Sequence, residues 1–295
     1  MPSLKEVRNR IVSVGSTMQI TSAMKMVSAA KLKRAQDAIT QMRPYSNKMQ
    51  EIIENVSSNL DASENKFNRP LTEKHILLIP VSSNRGLAGA FNANVVKKTW
   101  SIIRQESGEN KITIVPVGKK AQDAFRKTEY FITGSDLPHH LNELLNDLRY
   151  DITAPVAERL MNAYLNKQFD RAIIIYNQFK NAAVQEVVFE QLLPVSPATG
   201  KKAESTGSRA DYIFEPNKEF IINDLIPRSI KTQFHKALLD SMASEHGARM
   251  TAMHKATDNA KAMQRELKIT YNKARQASIT KEILEIVGGA EALNG

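Results

Sequence analysis

Leu4, Val7, Ile11, Val14 and Met18 stand alternately three and four residues apart, the spacing that keeps one edge of a helix against a partner helix. The same frame then meets Thr21, Lys25 and Ser28, and apolar residues return at Leu32, Ala35, Ile39 and Met42. Around that lapse, Ala23, Met24, Met26, Val27, Ala29 and Ala30 make the helix apolar nearly all round, so it needs surroundings on every side. Pro44 is expected to kink or interrupt the pattern, which resumes at Met49, Ile53, Val56 and Leu60 and yields to the polar stretch 61–69. The far end mirrors this. Met253, Ala256, Ala260, Met263, Leu267, Thr270, Ala274 and Ala277 keep the same alternation, with no proline between Pro227 and Val287 and only Gly247 as a glycine. Gly288-Gly289 is the expected helix stop. A helix of roughly 60 residues reaches about 90 Å, far beyond what a compact domain needs. Small residues at its seam admit a close partner, and the simplest partner is the chain's own N-terminal helix, in an antiparallel coiled coil.

Between the two ends the period changes. Ile76–Val81, Ile112–Val117 and Ala172–Tyr176 are short β-rich runs, and Val184–Leu193 is a longer apolar one. Helix-like segments fall near Asn94–Gln105, Lys119–Arg126 and Leu137–Gln168, and Pro197–Arg209 reads as a loop. Alternating strand and helix predicts an inserted, Rossmann-like α/β domain with a largely parallel sheet.

The charge of +10 is confined to the two ends. Residues 1–43 carry eight Lys/Arg against two Asp/Glu, and residues 228–295 eleven against seven, whereas residues 44–227 carry twenty-two of each. A solvated basic face, an acidic protein partner and nucleic acid are the three readings this leaves open. The absence of cysteine excludes disulfides and thiol chemistry. No run reaches the roughly 20 apolar residues of a spanning helix, and Met1–Lys5 lacks a secretory signal. The expectation is a soluble protein, held at a membrane only through a partner.

Candidate chemistry is sparse. Ser82–Asn92 joins a strand to a helix, where phosphates often bind, but it lacks the spacing and Lys-Ser/Thr ending of a P-loop. A tight turn that needs glycine is the reading preferred. Val117-Gly118-Lys119-Lys120 fails in the same way, because Thr113 stands where the first glycine belongs. The histidines form no ligand set: His139 and His140 diverge on a helix, and His246 and His254 are two turns apart. No cofactor, metal or catalytic residue is expected.

Three segments together resemble the gamma subunit of the rotary ATP synthases: Ile11–Gln36, the Asn84–Asn92 turn, and Ser244–Asn259 continued by Tyr271–Leu293. The last is the most specific. Asn84 and Ala88 depart from the Asp and Cys usual in that turn. The resemblance implies an N-terminal shaft helix (1–60), a central α/β foot (70–216) and a C-terminal shaft helix (217–295). The two helices would stand as a non-catalytic rotor inside three alpha and three beta subunits, with the foot against the epsilon subunit and the membrane-embedded c-ring. The shaft would couple ion (proton) flow to ATP synthesis or hydrolysis, and regulate it, on the cytoplasmic side of a bacterial inner membrane. By position, Met24, Lys25, Arg249, Arg275, Gln276, Thr280 and Glu285 match residues that meet the surrounding ring. Tyr212, Phe214 and Glu215 match the foot segment that meets the c-ring, with Phe214 replacing a tyrosine. A basic coiled-coil nucleic-acid binder is the alternative, and a small nucleotide-dependent enzyme the weaker one.

Overall fold

The computed structural model describes residues 3–57, 66–67, 75–108, 110–132, 137–195 and 221–294. Its first helix, α1 (Leu4–Ser57), is not interrupted at Pro44. Pro44 is exposed, so the Thr40 carbonyl that loses its donor faces the solvent side, and the adjoining Arg43 fastens the helix by donating from Nη2 to the Phe179 carbonyl at 3.2 Å. Every position of the three–four frame from Leu4 to Ile53 is buried or half-buried, Thr21, Lys25, Ser28 and Ser46 included. The contacts divide the chain into two compact units, one joining residues up to Ala29 with those from Arg249 onward, the other being Ala30–Ala248.

The second unit is the α/β domain. It contains β1 (His75–Pro80), α2 (Phe91–Glu106), β2 (Lys111–Ile114), α3 (Lys119–Phe125), a 3₁₀ turn at Glu143–Leu145, α4 (Tyr150–Leu165), β3 (Arg171–Phe179) and β4 (Gln185–Leu193). The sheet order is β2-β1-β3-β4. β1 lies parallel to both β2 and β3, while β4 is antiparallel to β3. The expected parallel sheet therefore ends in a hairpin. Its turn is closed locally: Asn181 Oδ1 accepts from the amides of Ala183 at 2.9 Å and Val184 at 2.8 Å, and so short a connection can only return antiparallel. In the helix-like stretch 137–168 the α-helix forms only from Tyr150, and the first half holds just the 3₁₀ turn. In the first half, Asn142 is used sideways: its carbonyl accepts from Asn84 Nδ2 at 2.7 Å and its amide donates to Gln122 Oε1.

Alternation along β1 and β3 sorts their apolar side chains between two cores. Leu77, Ile79, Ile174 and Tyr176 pack with Leu160 and Tyr164 of α4 and with Phe234 and Leu238 of the last helix, α5 (Ile226–Asn294). Ile76, Leu78, Ile173 and Ile175 pack with Val95 and Ile103 of α2 and Phe125 of α3. Each such side chain contributes about 1.5–3 kcal/mol by burial, which is why Ile76–Ile79 of β1 and Ala172–Ile175 of β3 are apolar without a break. α5 follows a π-helical turn at Ile221–Leu225 and runs on through Gly288-Gly289, which does not stop it. Glycine costs a helix only about 1 kcal/mol, and it becomes a terminus where the following chain turns back to cap it. Here both glycines stand in open space.

Between β1 and α2 the chain turns with Leu87 and Gly89 at φ 62° and 57°. Ser83 donates its amide to Asn92 Oδ1 at 2.9 Å and its hydroxyl to the Arg85 carbonyl at 2.6 Å. The same turn caps α3. Lys119 N donates to Asn84 Oδ1 (3.0 Å), Lys120 N to the Ser83 carbonyl (3.1 Å) and Ala121 N to Ser82 Oγ (2.7 Å). The amides that would cradle a phosphate there are spent on the protein itself. Gly118 makes the close approach possible: its φ is +91°, and a Cβ would stand 2.3 Å from the Ser82 carbonyl oxygen. Gly118→Ala is expected to destabilise the chain by about 3 kcal/mol or more, through backbone strain and lost caps. Gly86→Ala, whose Cβ meets nothing nearer than Lys120 Cε at 3.9 Å, should shift stability by less than about 1 kcal/mol. Urea unfolding measures both, and equal effects would show that the turn does not depend on Gly118.

Candidate functional site

In the unit formed by the chain's two ends, α1 and α5 run antiparallel. Thr257 Oγ1 donates to Thr21 Oγ1 at 2.9 Å, and Lys25 Nζ lies 3.4 Å from His254 Nδ1. A Cβ on Gly15 would stand 3.0 Å from Gln264 Nε2. The facing residue numbers add to 278 or 279 each time, which is a single antiparallel register. Extended, it sets Val7 level with Tyr271 and Leu4 level with Ala274. Past that point α5 outruns α1, and residues 281–290 are exposed on every side.

Beyond Ala260 the α5 half of the seam differs from the expected frame at alternate positions. Met253, Ala256, Ala260, Leu267 and Ala274 are buried or half-buried as expected. Between them Gln264, Tyr271 and Ser278 are half-buried, while Met263, Thr270 and Ala277 are exposed. Both frames fit a three–four alternation, and hydropathy favours the wrong one. The choice is made across the seam, where α1 offers Thr21, Lys25 and Gly15 and the matching partners are polar.

That choice turns the outside of the helices apolar. With Thr21, Lys25 and Ser28 facing inward, Met26 and Val27 stand 66% and 57% exposed, and Ile20 and Val12 are exposed as well. At the free end of α5, Ile279, Ile283, Leu284, Ile286 and Val287 are exposed, Ile286 at 70%. The inverted stretch near Met24 was readable from composition. The apolar tip of α5 was missed, although a paired helix with large aliphatics on all sides carries the same signal.

The residues singled out from the sequence fall in three places. Met24 and Lys25 are half-buried beside the seam. Arg275, Gln276, Thr280 and Glu285 lie exposed along α5, with Thr280 Oγ1 donating back to the Gln276 carbonyl at 2.9 Å and Glu285 paired to Lys281 at 3.6 Å. Arg249 is 8% exposed, presenting only an edge. Tyr212, Phe214 and Glu215, like Pro197–Arg209 and Leu60, lie outside the described residues. Among the described residues, no group of three or more His, Asp or Glu could hold a metal ion, and no helix is long and apolar enough to cross a membrane.

The described residues thus comprise antiparallel terminal helices, whose seam turns polar around Thr21–Ser28 and which leave large apolar side chains exposed, and a doubly wound α/β unit whose phosphate-like turn is self-capped. The chain matches the family described as ATP synthase over residues 3–293. It is 52% identical over its full length to the ATP synthase gamma chains of Christiangramia forsetii and Flavobacterium johnsoniae, covering 100% of each. It also resembles a chain of the Euglena gracilis mitochondrial ATP synthase (OSCP/F1/c-ring, rotational state 3), with TM-score 0.65, 24% identity, and coverage of 98% of this chain and 94% of that one. The chain belongs to the ATP synthase gamma chain family. The nucleic-acid alternative finds no support among these relatives.

The observed register makes a contrast testable. Ala260→Leu and Ala274→Leu should overpack the seam and cost about 1–3 kcal/mol each. Ala277→Leu, on the exposed face, should change stability by no more than about 0.5 kcal/mol. Thermal unfolding of the three variants checks this, and a large loss for Ala277→Leu would restore the other frame.

Proposed function

We propose that the chain is the central rotor shaft of a rotary ATP synthase and has no active site of its own. The observation that supports this most is the inverted stretch: Thr21, Lys25 and Ser28 turned to the partner helix, Met26 and Val27 turned outward. An isolated hairpin gains nothing from that arrangement, whereas a shaft enclosed by a ring buries its outer apolar surface at about 25 cal/mol per Å². Three alpha and three beta subunits form the ring, and the epsilon subunit and the c-ring meet the α/β unit. The complex is membrane-bound, and the chain is peripheral to it on the cytoplasmic side of the inner membrane.

Coupling then works by differential contact. Ion flow turns the c-ring and the shaft with it. Each shaft orientation presents a different side to each catalytic subunit, and a subunit shifts toward whichever open or closed state that side favours. The exposed Arg275, Gln276, Thr280 and Glu285 supply directional contacts to the ring, alongside Met24, Lys25 and the edge of Arg249. Tyr212, Phe214 and Glu215 contact the c-ring. The basic excess on both ends draws the shaft toward acidic loops of the ring, an attraction screened beyond roughly 8 Å at physiological salt.

Affinity purification of the tagged chain from its own cells tests the reading. Two homologous nucleotide-binding subunits should co-purify in equal amounts, each in threefold excess over this chain. Recovery of the chain alone with nucleic acid would sink the proposal. A second test separates contact from fold. Arg275→Ala with Gln276→Ala should leave unfolding unchanged within about 0.5 kcal/mol, as befits exposed positions, and should lower ATP synthesis driven by an ion gradient about tenfold, the effect of losing about 1.4 kcal/mol of coupling. Unfolding of the helices by the double variant would make these residues structural instead.

A further inference from the structure

Asp240 of α5 is fully buried, among Ala237, Leu238, Leu239 and Ala243. Its Oδ1 accepts from Arg43 Nη2 of α1 at 3.2 Å, and the same nitrogen donates to the Phe179 carbonyl at the end of β3, also at 3.2 Å. One nitrogen thus ties α1 to both α5 and the sheet. The other carboxylate oxygen, Oδ2, is buried and has no hydrogen-bond partner among the described residues. Burial raises the Asp240 carboxyl from its ordinary value, against the pull of the Arg43 guanidinium and of Lys236, and Glu190 adds to the rise.

Further directional bonds run along α5 on either side of this point. Gln233 Nε2 reaches Glu190 Oε2 at 3.4 Å, and Glu190 in turn accepts from the Tyr176 hydroxyl at 2.6 Å. Ser244 Oγ donates to the Asn177 carbonyl at 2.8 Å. Gln233, Asp240 and Ser244 are seven and four residues apart, so they share one helix face, and that face is bonded to β3 and β4. Arg43 brings α1 into the same set.

A buried carboxylate with an orphaned oxygen, paired to an arginine whose side chain is 45% exposed, is a poor device for stability, since an apolar pair of similar volume is commonly as stable or more so. It does supply direction. Apolar surfaces resist separation but can settle into neighbouring ridge-and-groove registers. A hydrogen bond weakens steeply with angle, and although Arg43 reaches solvent, the buried Asp240 carboxylate has no water to take the place of the guanidinium. We propose that Arg43 and Asp240 are positioning residues that fix the axial and rotational register of α1 and α5 against β3, so that both helices turn with the α/β unit instead of slipping on it. This rests on the shaft reading above.

The test uses the complete synthase reconstituted in liposomes, with ATP hydrolysis and ion uptake measured together, uptake being followed by a pH-sensitive dye and by labelled sodium. Arg43→Met combined with Asp240→Leu leaves no orphaned charge and should still assemble and melt near the wild type. Its ATP hydrolysis should stay within about twofold, while ions pumped per ATP fall about threefold or more. Arg43→Lys, which keeps a cation able to donate to both acceptors, should retain at least about half of the wild-type ratio. An unchanged ratio in the double variant overturns the inference. So does a parallel loss of assembly, melting temperature, hydrolysis and pumping, which would make the pair merely structural. A wild-type complex that hydrolyses ATP without pumping any ion would instead count against the shaft reading itself.

Discussion

Two helices of 54 and 69 residues cannot both bury a broad apolar stripe in a two-helix seam, because a pair of helices covers only a narrow edge of each. Everything distinctive about the chain follows from how it meets that constraint. In the stretch around residues 15–28 the seam keeps Met18 but is otherwise given to small and polar residues, Gly15, Thr21, Lys25 and Ser28, with a threonine pair at 2.9 Å as its most direct bond. Such a seam lets the backbones approach closely but buries little apolar area, so the pairing there is weak by itself. The apolar side chains go outward instead, and they become useful only when other chains close round them.

The α/β unit meets a different constraint with the same economy. Open sheets of this kind bind ligands in the crevice beyond the carboxyl ends of their strands. Here that crevice is occupied from within. Ser82, Ser83 and Asn84 satisfy the first amides of α3, and Asn84 and Gln122 both hold Asn142. What would be a phosphate cradle becomes a rigid joint between β1, α3 and the segment leading to α4. Rigidity is what a torque-bearing domain requires, and a loop waiting for ligand would not supply it.

Much of this was legible in the sequence because it is periodic or local. The seam of α1 could be read from Leu4 to Met42, including its polar lapse, and the four strands appear as β-rich runs. The misreadings share one cause, a decision made by a distant partner. Met263 looks like a better seam residue than Gln264 until α1, with Gly15, is placed opposite them. Pro44 looks like a break until Arg43 is seen fastened to Phe179, and Gly288-Gly289 looks like a stop until no chain is found to cap it. The pairing of Arg43 with Asp240, 197 residues away, leaves no linear trace, because any buried aspartate would look the same in sequence. The positions proposed to meet the ring came only by resemblance, since exposed side chains such as Arg275 and Gln276 carry no local signature of a partner.

The distribution of charge follows the same logic as the apolar surface. On α1, Lys5, Arg8, Lys31 and Arg34 are exposed, and the helix's local ion pairs, Arg10 with Glu6 and Lys33 with Asp37, lie on solvent-facing turns. Such pairs contribute only about 0–1 kcal/mol each, so the excess of positive charge is not there to stabilise the helix. Nor is it a barrier to enclosure, because lysine and arginine lay their aliphatic stems along apolar surface while the charged ends reach outward. An apolar exterior studded with exposed cations is poorly suited to packing against a second copy of itself, where like charges would face each other. It is well suited to an acidic-lined cavity, which covers the apolar patches and pairs the cations at once.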